Sequence, residues 1–512
     1  VSNGNAQTES KIVVVGAGIA GLSCAIDLAT SGSQVVVLER ATTPGGKARV
    51  VRVGDAEIDA GPTVLTMPWV FDELFDAANA SFRAEIELDR ATVLARHAWT
   101  DGTTLDLFAD RQRSADAIGA RFGAKEARAY LAFCEDGKRM FELSEKAFLR
   151  SQRPTMTSIA KKFGMGGLAA FARLDGHRSM WGALEQRFSA PRLRQLFARY
   201  ATYVGSSPFD APATLNLIAH VEAEGVYRAR GGIRSLVAAL EKLARSLGVE
   251  ILYDHSVDRV VIERQRAVGV VSNGKQFSAD AVLFNGDVSA LASSLLGSDA
   301  APAGSITARG DRSLSAVTWT MIAKTRKFPL IHHNVFFSDD YRAEFDAILR
   351  DGRAPAQPTV YVCAQDRADT EIETDYERLL VLSNAPANGD DPSQWNESEK
   401  KRCTTAALSL LEKSGLSLEI TDCVQTTPAD FHRLFPATGG ALYGPRSKGA
   451  LSVLSRQSAA TKIPRLYLAG GSVHPGAGMP MAALSGRLAA TQIREDLGSI
   501  ARSRRGAIIG TT

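Results

Sequence analysis

Gly16, Gly18 and Gly21 stand in the spacing G-x-G-x-x-G between an apolar run, Lys11-Ile-Val-Val-Val15, and an alanine-rich stretch reaching about Ser31. A second apolar run, Gln34-Val-Val-Val-Leu38, follows and ends at Glu39, 18 residues after Gly21. Gly16 permits a tight turn, Gly18 lets backbone approach a pyrophosphate, and Gly21 lets a helix pack closely on a strand. The loop Gly16-Ala17-Gly18-Ile19-Ala20-Gly21 would then present the orphan N–H groups of a helix N-terminus to the phosphates. Glu39, with Arg40 beside it, puts a carboxylate where ribose hydroxyls can be bound. The glycine spacing alone is a weak signal. With a strand on either side of the helix and an acid at the end, it predicts a bound dinucleotide.

Two further glycine-rich stretches narrow the ligand. Pro44-Gly45-Gly46-Lys47-Ala48 supplies a second backbone loop with a cation beside it, and Asp59-Ala60-Gly61-Pro62-Thr63 follows closely. Near the other end, Arg465-Leu-Tyr-Leu-Ala469 reads as a buried strand. A loop containing Gly470, Gly471, His474, Gly476 and Gly478 comes next, and from Met481 to about Leu497 the apolar period is helical. A plain nicotinamide-binding unit needs neither stretch. The first would put a backbone loop and a cation beside a phosphate, and the second could offer N–H groups to a further anionic part of the same ligand.

The elements that must position these loops are split along the chain. Residues from about Met67 to Val221 read as mostly helical, with a hairpin at Asp101-Gly102. Gly231-Gly232 opens a helix from Ile233 to Leu247, with apolar residues at 233, 236, 237, 240, 243 and 247. Strands are predicted at 250–253, 257–263, 267–272 and 281–285, with an Asn273-Gly274 turn. Residues 298–430 mix strand and helix, and 385–399 reads as polar and flexible. No internal repeat or low-complexity tract is present.

Composition is that of a large globular chain: 512 residues, 45% hydrophobic, 7% aromatic. The five cysteines have no C-x-x-C spacing, which argues against a disulfide framework or a zinc site and suits a reducing compartment. The polar first residues predict no signal peptide, and no apolar run is long enough for a membrane span. The net charge of +4 is uneven: Gly137–Arg199 holds 13 Lys or Arg against 4 Asp or Glu, so +9, leaving −5 elsewhere. Within it, Lys161–Arg173 interleaves Phe163, Leu168 and Phe171 with basic residues, a pattern that suits either an anionic lipid surface or a solvated basic face. No nucleic-acid-binding module is recognisable.

Taken together, Gly45-Gly46-Lys47, Asp59–Pro62, Gly231-Gly232-Ile233 and Gly471–Pro480 resemble the glycine-doublet flavoproteins, and over nearly the whole chain the carotenoid desaturases of the phytoene desaturase type. Leu94–Asp110 and Arg199–Pro208 are similar to the branch called methoxyneurosporene dehydrogenase or 1-hydroxycarotenoid 3,4-desaturase. The resemblance implies an α/β, two-domain flavoprotein: a Rossmann-like FAD-binding domain (9–70, 222–297, 431–498) interleaved with an α+β substrate domain (71–221, 298–430) that includes a membrane-contacting part. It implies FAD held by Gly16, Ala17, Gly18, Ile19, Ala20, Gly21, Glu39, Arg40, Gly46, Lys47, Ala48, Gly61, Pro62, Thr63, Val257, Gly470, Gly471, Gly478 and Met479, with Val257 against the adenine. No metal is implied.

The implied reaction passes a hydride from an allylic C–H of an acyclic carotenoid to the flavin, most specifically at C3–C4 of a 1-hydroxy or 1-methoxy substrate, with oxygen or a quinone as final acceptor. A buried hydroxyl without a partner costs ~1–3 kcal/mol, so an otherwise apolar tunnel should carry a polar group at its end. Tyr200, Tyr203 and His97 lie in the stretches that carry the closest resemblance. The proton acceptor is not specified: His97, His220 and His474 are candidates by type, with His474 read as a wall of the flavin-closing loop. Phytoene desaturation, amine oxidation and a flavin-free prenyl-binding role like that of Rab GDP-dissociation inhibitors stay open. The implied setting is the cytoplasmic face of a membrane, with peripheral attachment.

Overall fold

The computed structural model describes residues 10–153, 175–367, 375–449, 452 and 455–509; the side chains of 146, 147 and 500–509 lie outside that description. The apolar runs of the sequence become a five-stranded parallel sheet in the order Leu466–Leu468, Ala281–Phe284, Lys11–Val15, Gln34–Leu38, Glu250–Leu252. Its central strands are apolar on both sides, as a parallel sheet covered on both faces requires. Ile12, Val14, Val35, Val37 and Leu283 point to one face, where the helices Ile19–Thr30, Ile233–Ser246 and Met479–Ile509 pack. Val13, Leu38, Val282 and Phe284 point to the other, against a three-stranded antiparallel sheet of Val257–Glu263, Arg266–Ser272 and Lys275–Ser278. The predicted helix after Gly232 forms as read, with Ile233, Leu236, Val237, Leu240 and Leu243 buried. Asp59 caps it, accepting from the backbone N–H of Ile233 at 2.7 Å.

The second half is built on a seven-stranded sheet in the order Ser417–Thr426, Ser315–Arg326, Glu377–Ala385, Val360–Ala364, His333–Phe336, Val93–Ala98, Thr104–Phe108. All neighbours are antiparallel except His333–Phe336 and Val93–Ala98. The last two strands form the hairpin predicted at Asp101-Gly102. One face is a closed apolar core of Val317, Trp319, Met321, Val360, Val362, Leu379 and Val381, covered by the helix Glu397–Lys413. The opposite face looks toward helices of the 111–224 region and the flavoprotein half.

Three expectations change. The helix Trp69–Ala77 buries Val70, Phe71, Leu74 and Phe75 in the core of the first half, together with Phe82 and Ile86. The boundary expected at 70 therefore falls near 90, because these apolar residues complete the layer over the parallel sheet. Residues 385–399, read as flexible, are ordered by Trp395, which is buried and donates its indole N–H to Asn388 Oδ1 at 2.8 Å. The last helix begins at Met479 and continues to Ile509, beyond the predicted end at 497. The basic stretch Lys161–Arg173 lies outside the described residues. Among the described residues, no helix is long and apolar enough to cross a membrane.

Candidate active site

The N-terminal glycine turn has the shape its sequence requires. Gly16 has φ +103° and donates its N–H to the Leu38 carbonyl at 2.8 Å. A Cβ on Gly21 would run into the Gly16 carbonyl, so only glycine lets the helix sit this close to the strand. The N-cap residue of the helix Ile19–Thr30 is Gly18, which has no side chain to cap it. The second doublet docks on this turn: Gly45 donates to the Ala17 carbonyl at 2.9 Å, with φ +111° at Gly45 and +59° at Gly46. Ala48 closes the doublet by donating to the Gly45 carbonyl at 3.0 Å. Gly61, next to Pro62 and Thr63, is packed so closely that a Cβ would strike the Lys47 carbonyl.

Glu39 is buried at the end of its strand. Oε2 accepts from Ala17 N–H at 2.7 Å and Oε1 from Ala41 N–H at 2.9 Å. A carboxylate has about four acceptor positions, so two remain for ribose hydroxyls. Backbone bonds from Glu39 N–H to Leu252 and from His255 N–H to Glu39 lay the approach to Val257 alongside. Lys47 and Arg40, both expected at the cofactor, make their hydrogen bonds to backbone carbonyls of the 433–442 segment. The Lys47 ammonium donates to the Leu442 carbonyl at 2.6 Å, and Arg40 donates to the carbonyls of Arg433 and Leu434. Burial lowers the Lys47 pKa, offset in part by Asp287.

The C-terminal loop meets the N-terminal one through Asn285. Its Oδ1 accepts from Gly21 N–H at 3.0 Å and its Nδ2 donates to the Ala469 carbonyl at 3.0 Å. Gly470 and Gly478, both at positive φ, turn the chain into the helix that starts at Met479. Buried Arg456 braces the loop by donating to the Gly471 carbonyl at 2.6 Å and to those of Tyr443 and Pro445. Burial pulls its guanidinium down to about 10. A helix start with glycine at its N-cap, glycines where a Cβ would collide, and a carboxylate with acceptor positions to spare fit a dinucleotide held by backbone.

The polar chemistry of the second half lies on the inner face of the large sheet. Strand register puts Thr318, Thr320, Leu380, Leu382, Tyr361, Cys363, His333, Val335 and His97 on that one face. His97 is fully buried; its Nδ1–H donates to the Leu105 carbonyl at 3.0 Å, and its Nε2 has no hydrogen-bond partner. Burial first, and Arg199 second, hold its pKa well below the ordinary imidazole value, so it is neutral. His333 Nδ1 lies 2.7 Å from Tyr361 Oη, which lies 2.7 Å from Thr63 Oγ1. His333 Nε2 and Thr318 Oγ1 are also buried without partners. Burial, followed by His332, Arg199 and Arg228, pushes the His333 pKa well down. The bond from Tyr361 to Thr63 ties this face to the Gly61-Pro62-Thr63 loop.

Facing it, Arg199, Tyr200, Tyr203 and Glu222 form one network. Arg199 donates to both Glu222 oxygens at 3.2 and 3.3 Å and to Tyr203 Oη. Tyr200 and Tyr203 donate to Glu222 at 2.7 and 2.6 Å. The two phenols, expected to meet a substrate hydroxyl, thus already spend their protons on Glu222. His474 shares Nε2 between the carbonyls of Phe148 and Ser151 at 2.8 and 3.0 Å, which fixes the proton there and leaves buried Nδ1 without a partner. His220 is tied to Arg111 and Glu224 away from this face. His332, His333 and Cys363 bring ligand atoms within 4.8 Å of one another. Burial pushes the Cys363 thiol up to about 12, and Arg199 and Arg228 lie near enough to oppose a cation at His333.

Asn285, Arg456, Glu222, His333 and Tyr361 were not singled out by sequence reasoning. The signal for Tyr361 was present as alternation in Val360-Tyr-Val-Cys-Ala364, one apolar face and one face of a different kind. Nothing local marks Asn285, whose partners are 264 and 184 residues away, or Glu222, whose partners are 19–23 residues away.

Residues 19–494 match the family described as flavin containing amine oxidoreductase. A hydroxyneurosporene desaturase of Rubrivivax gelatinosus is 48% identical over 98% of this chain and 96% of that protein. One of Cereibacter sphaeroides is 40% identical over 97% and 100%. Among solved structures, a triple mutant of putrescine oxidase aligns with a TM-score of 0.60 at 14% identity, covering 96% of this chain and 99% of that one, a likeness of fold. A two-domain flavoprotein fold, backbone cradles for FAD and this kinship agree: the chain belongs to the flavin containing amine oxidoreductase family, in its carotenoid desaturase branch, as an FAD-dependent oxidoreductase acting on carbon–carbon bonds.

Proposed function

We propose that the enzyme desaturates C3–C4 of an acyclic 1-hydroxycarotenoid such as 1-hydroxyneurosporene. The observation that carries this reading is the inner face of the large sheet: Leu380, Leu382 and Val335 interleave there with polar side chains, and His97 Nε2, His333 Nε2 and Thr318 Oγ1 are buried without partners. Unpartnered buried polar atoms are costly, and a substrate that is a hydrocarbon along most of its length with one hydroxyl at its end would satisfy one of them. A plain hydrocarbon would satisfy none. Bound FAD supplies the two-electron oxidation. The chain's own residues hold the polyene along the sheet, exclude water and align the C–H to be broken.

The substrate class is lipid-soluble, and the basic balance of Gly137–Arg199 supports peripheral attachment to an anionic membrane surface, with oxygen or a quinone taking the electrons. Anaerobic mixing of the yellow holoenzyme with candidate carotenoids tests the reading. Bleaching of the flavin by 1-hydroxyneurosporene, and little by neurosporene or phytoene, is the expected result. Equal bleaching by all three, or by phytoene alone, refutes it.

A further inference from the structure

We infer that His97 and His333 act as a pair across the inner sheet face: His97 Nε2 accepts the hydrogen bond of the substrate's terminal hydroxyl, and His333 Nε2 takes the proton lost as the C3–C4 double bond forms. The inference rests on the proposed 1-hydroxycarotenoid substrate. It begins from register. His97 is paired with Val335 in parallel strands, and His333 lies two residues earlier on the same face. Strands about 4.8 Å apart and a rise of about 3.3 Å per residue place the two residues roughly 8 Å from each other. Three bonds of an extended chain span about 3.8 Å, so the hydroxyl oxygen is about 4–5 Å from C3 and C4. A hydrogen bond at one end and a near-attack contact of about 3–3.5 Å at the other bridge the remainder.

The protonation states suit the two roles. His97 Nδ1 faces a carbonyl, so it carries the hydrogen, and the neutral ring leaves a lone pair at Nε2 to receive an O–H. At the other position Tyr361 Oη sits between His333 Nδ1 and Thr63 Oγ1. The proton-acceptor role requires the arrangement in which Tyr361 donates to Thr63 and His333 donates from Nδ1 to Tyr361, which keeps the Nε2 lone pair. The same two bonds fix His333 beside the Gly61-Pro62-Thr63 loop, on the flavoprotein side, whereas His97 is one strand further away.

The chemistry balances. One hydrogen leaves C3 or C4 with its bonding pair to the flavin, the two-electron oxidant. The neighbouring carbon loses H+ to His333 Nε2, and its C–H electron pair becomes the second C3–C4 bond. The proton stays on Nε2 until product leaves and solvent enters. A buried imidazole is a weak base, and a weak base is sufficient here, since loss of hydride makes the adjacent C–H strongly acidic.

The test uses holoenzyme variants H97F, H97Q, H333F and H333Q, each checked for FAD content and melting temperature. Binding of 1-hydroxyneurosporene and neurosporene is read from the carotenoid absorption band with the flavin pre-reduced, so that no turnover occurs. Flavin reduction is read separately with oxidised enzyme. H97F should lose roughly tenfold to a hundredfold of the preference for the hydroxylated carotenoid, while H97Q, which keeps an acceptor, retains most of it. H333Q should bind both carotenoids as wild type does but reduce its flavin about 10²–10⁴-fold more slowly. Unchanged preference in H97F, or wild-type reduction in H333Q and H333F, overturns the pairing while leaving the proposed substrate intact. Absence of any preference in the wild-type enzyme overturns the substrate reading and the pairing with it.

Discussion

The network around Glu222 allows a sharp energetic test. Glu222 is 3% exposed and Arg199 6%, so both charges are out of water, and the carboxylate accepts four hydrogen bonds, two from Arg199 and one each from Tyr200 and Tyr203. Burial works against the Arg199 charge, but Glu222 and the two phenols outweigh it and raise the guanidinium above its ordinary pKa. Burial and Glu222 also push both phenols up, so they remain donors. Glu222→Gln keeps the shape and removes the charge, leaving a buried guanidinium unpaired, which costs about 3–5 kcal/mol. Arg199→Met strands the carboxylate at a similar cost. The double variant Arg199→Met/Glu222→Leu removes both charges together. It loses only the phenol partners, about 1–3 kcal/mol, and should be more stable than either single variant by about 2 kcal/mol. Urea midpoints of the FAD-loaded proteins, followed by near-ultraviolet circular dichroism, give the cycle. A double variant destabilised by the sum of the singles would show that the two charges do not depend on each other, and the reading of this network as one buried unit would fail.

Glu39→Ala should weaken FAD by about 1.5–3 kcal/mol, since a carboxylate that accepts two backbone N–H groups also loses its ribose contacts; unchanged affinity in a titration of the apoprotein with FAD would place the ribose elsewhere. Glu344 is pushed up to about 7 by burial, from an ordinary 4.5. Between those two values the native state holds a proton that the unfolded chain has released, so stability should fall as pH rises from about 4.5 to 7, by up to about 3 kcal/mol, and then level off. Glu344→Gln should flatten that slope in urea midpoints taken across the range, and an unchanged slope would exclude Glu344 as its source. Binding to anionic vesicles should weaken in high salt, where the Debye length shrinks to about 3 Å at 1 M, while neutral vesicles bind little throughout; equal partitioning onto both would remove the electrostatic part of membrane attachment.

The flavoprotein half is largely legible in the sequence, because its function is carried by backbone. Gly16, Gly21, Gly45 and Gly61 are recognisable by type and spacing, and each sits where a side chain would strain the backbone or collide with it. The helix from Ile233 is equally plain, since its apolar period and its buried face coincide. The partners of the two cations were not legible, for a physical reason. Lys47 and Arg40 have long side chains, and sequence spacing fixes a Cα position without fixing where a flexible stem ends. Both stems end on carbonyls of a segment about 390 residues away, a partner that no local pattern shows. The boundary near 90 was hidden similarly, because a helix with one apolar face reads the same whichever core it joins.

The substrate half was legible only as a demand. Physical chemistry required a polar group in an apolar site, and sequence proximity suggested His97, Tyr200 and Tyr203. The structure separates these by asking which atoms already have partners. Tyr200 and Tyr203 are committed to Glu222, which itself balances Arg199. Burial, with the Arg199 charge as a further cause, keeps His97 and His333 uncharged. The two phenols that look most like a hydroxyl site in the sequence are thus committed to the Arg199–Glu222 pair. His97 retains a free lone pair at Nε2, and an apolar substrate with a single hydroxyl presents one donor to meet it.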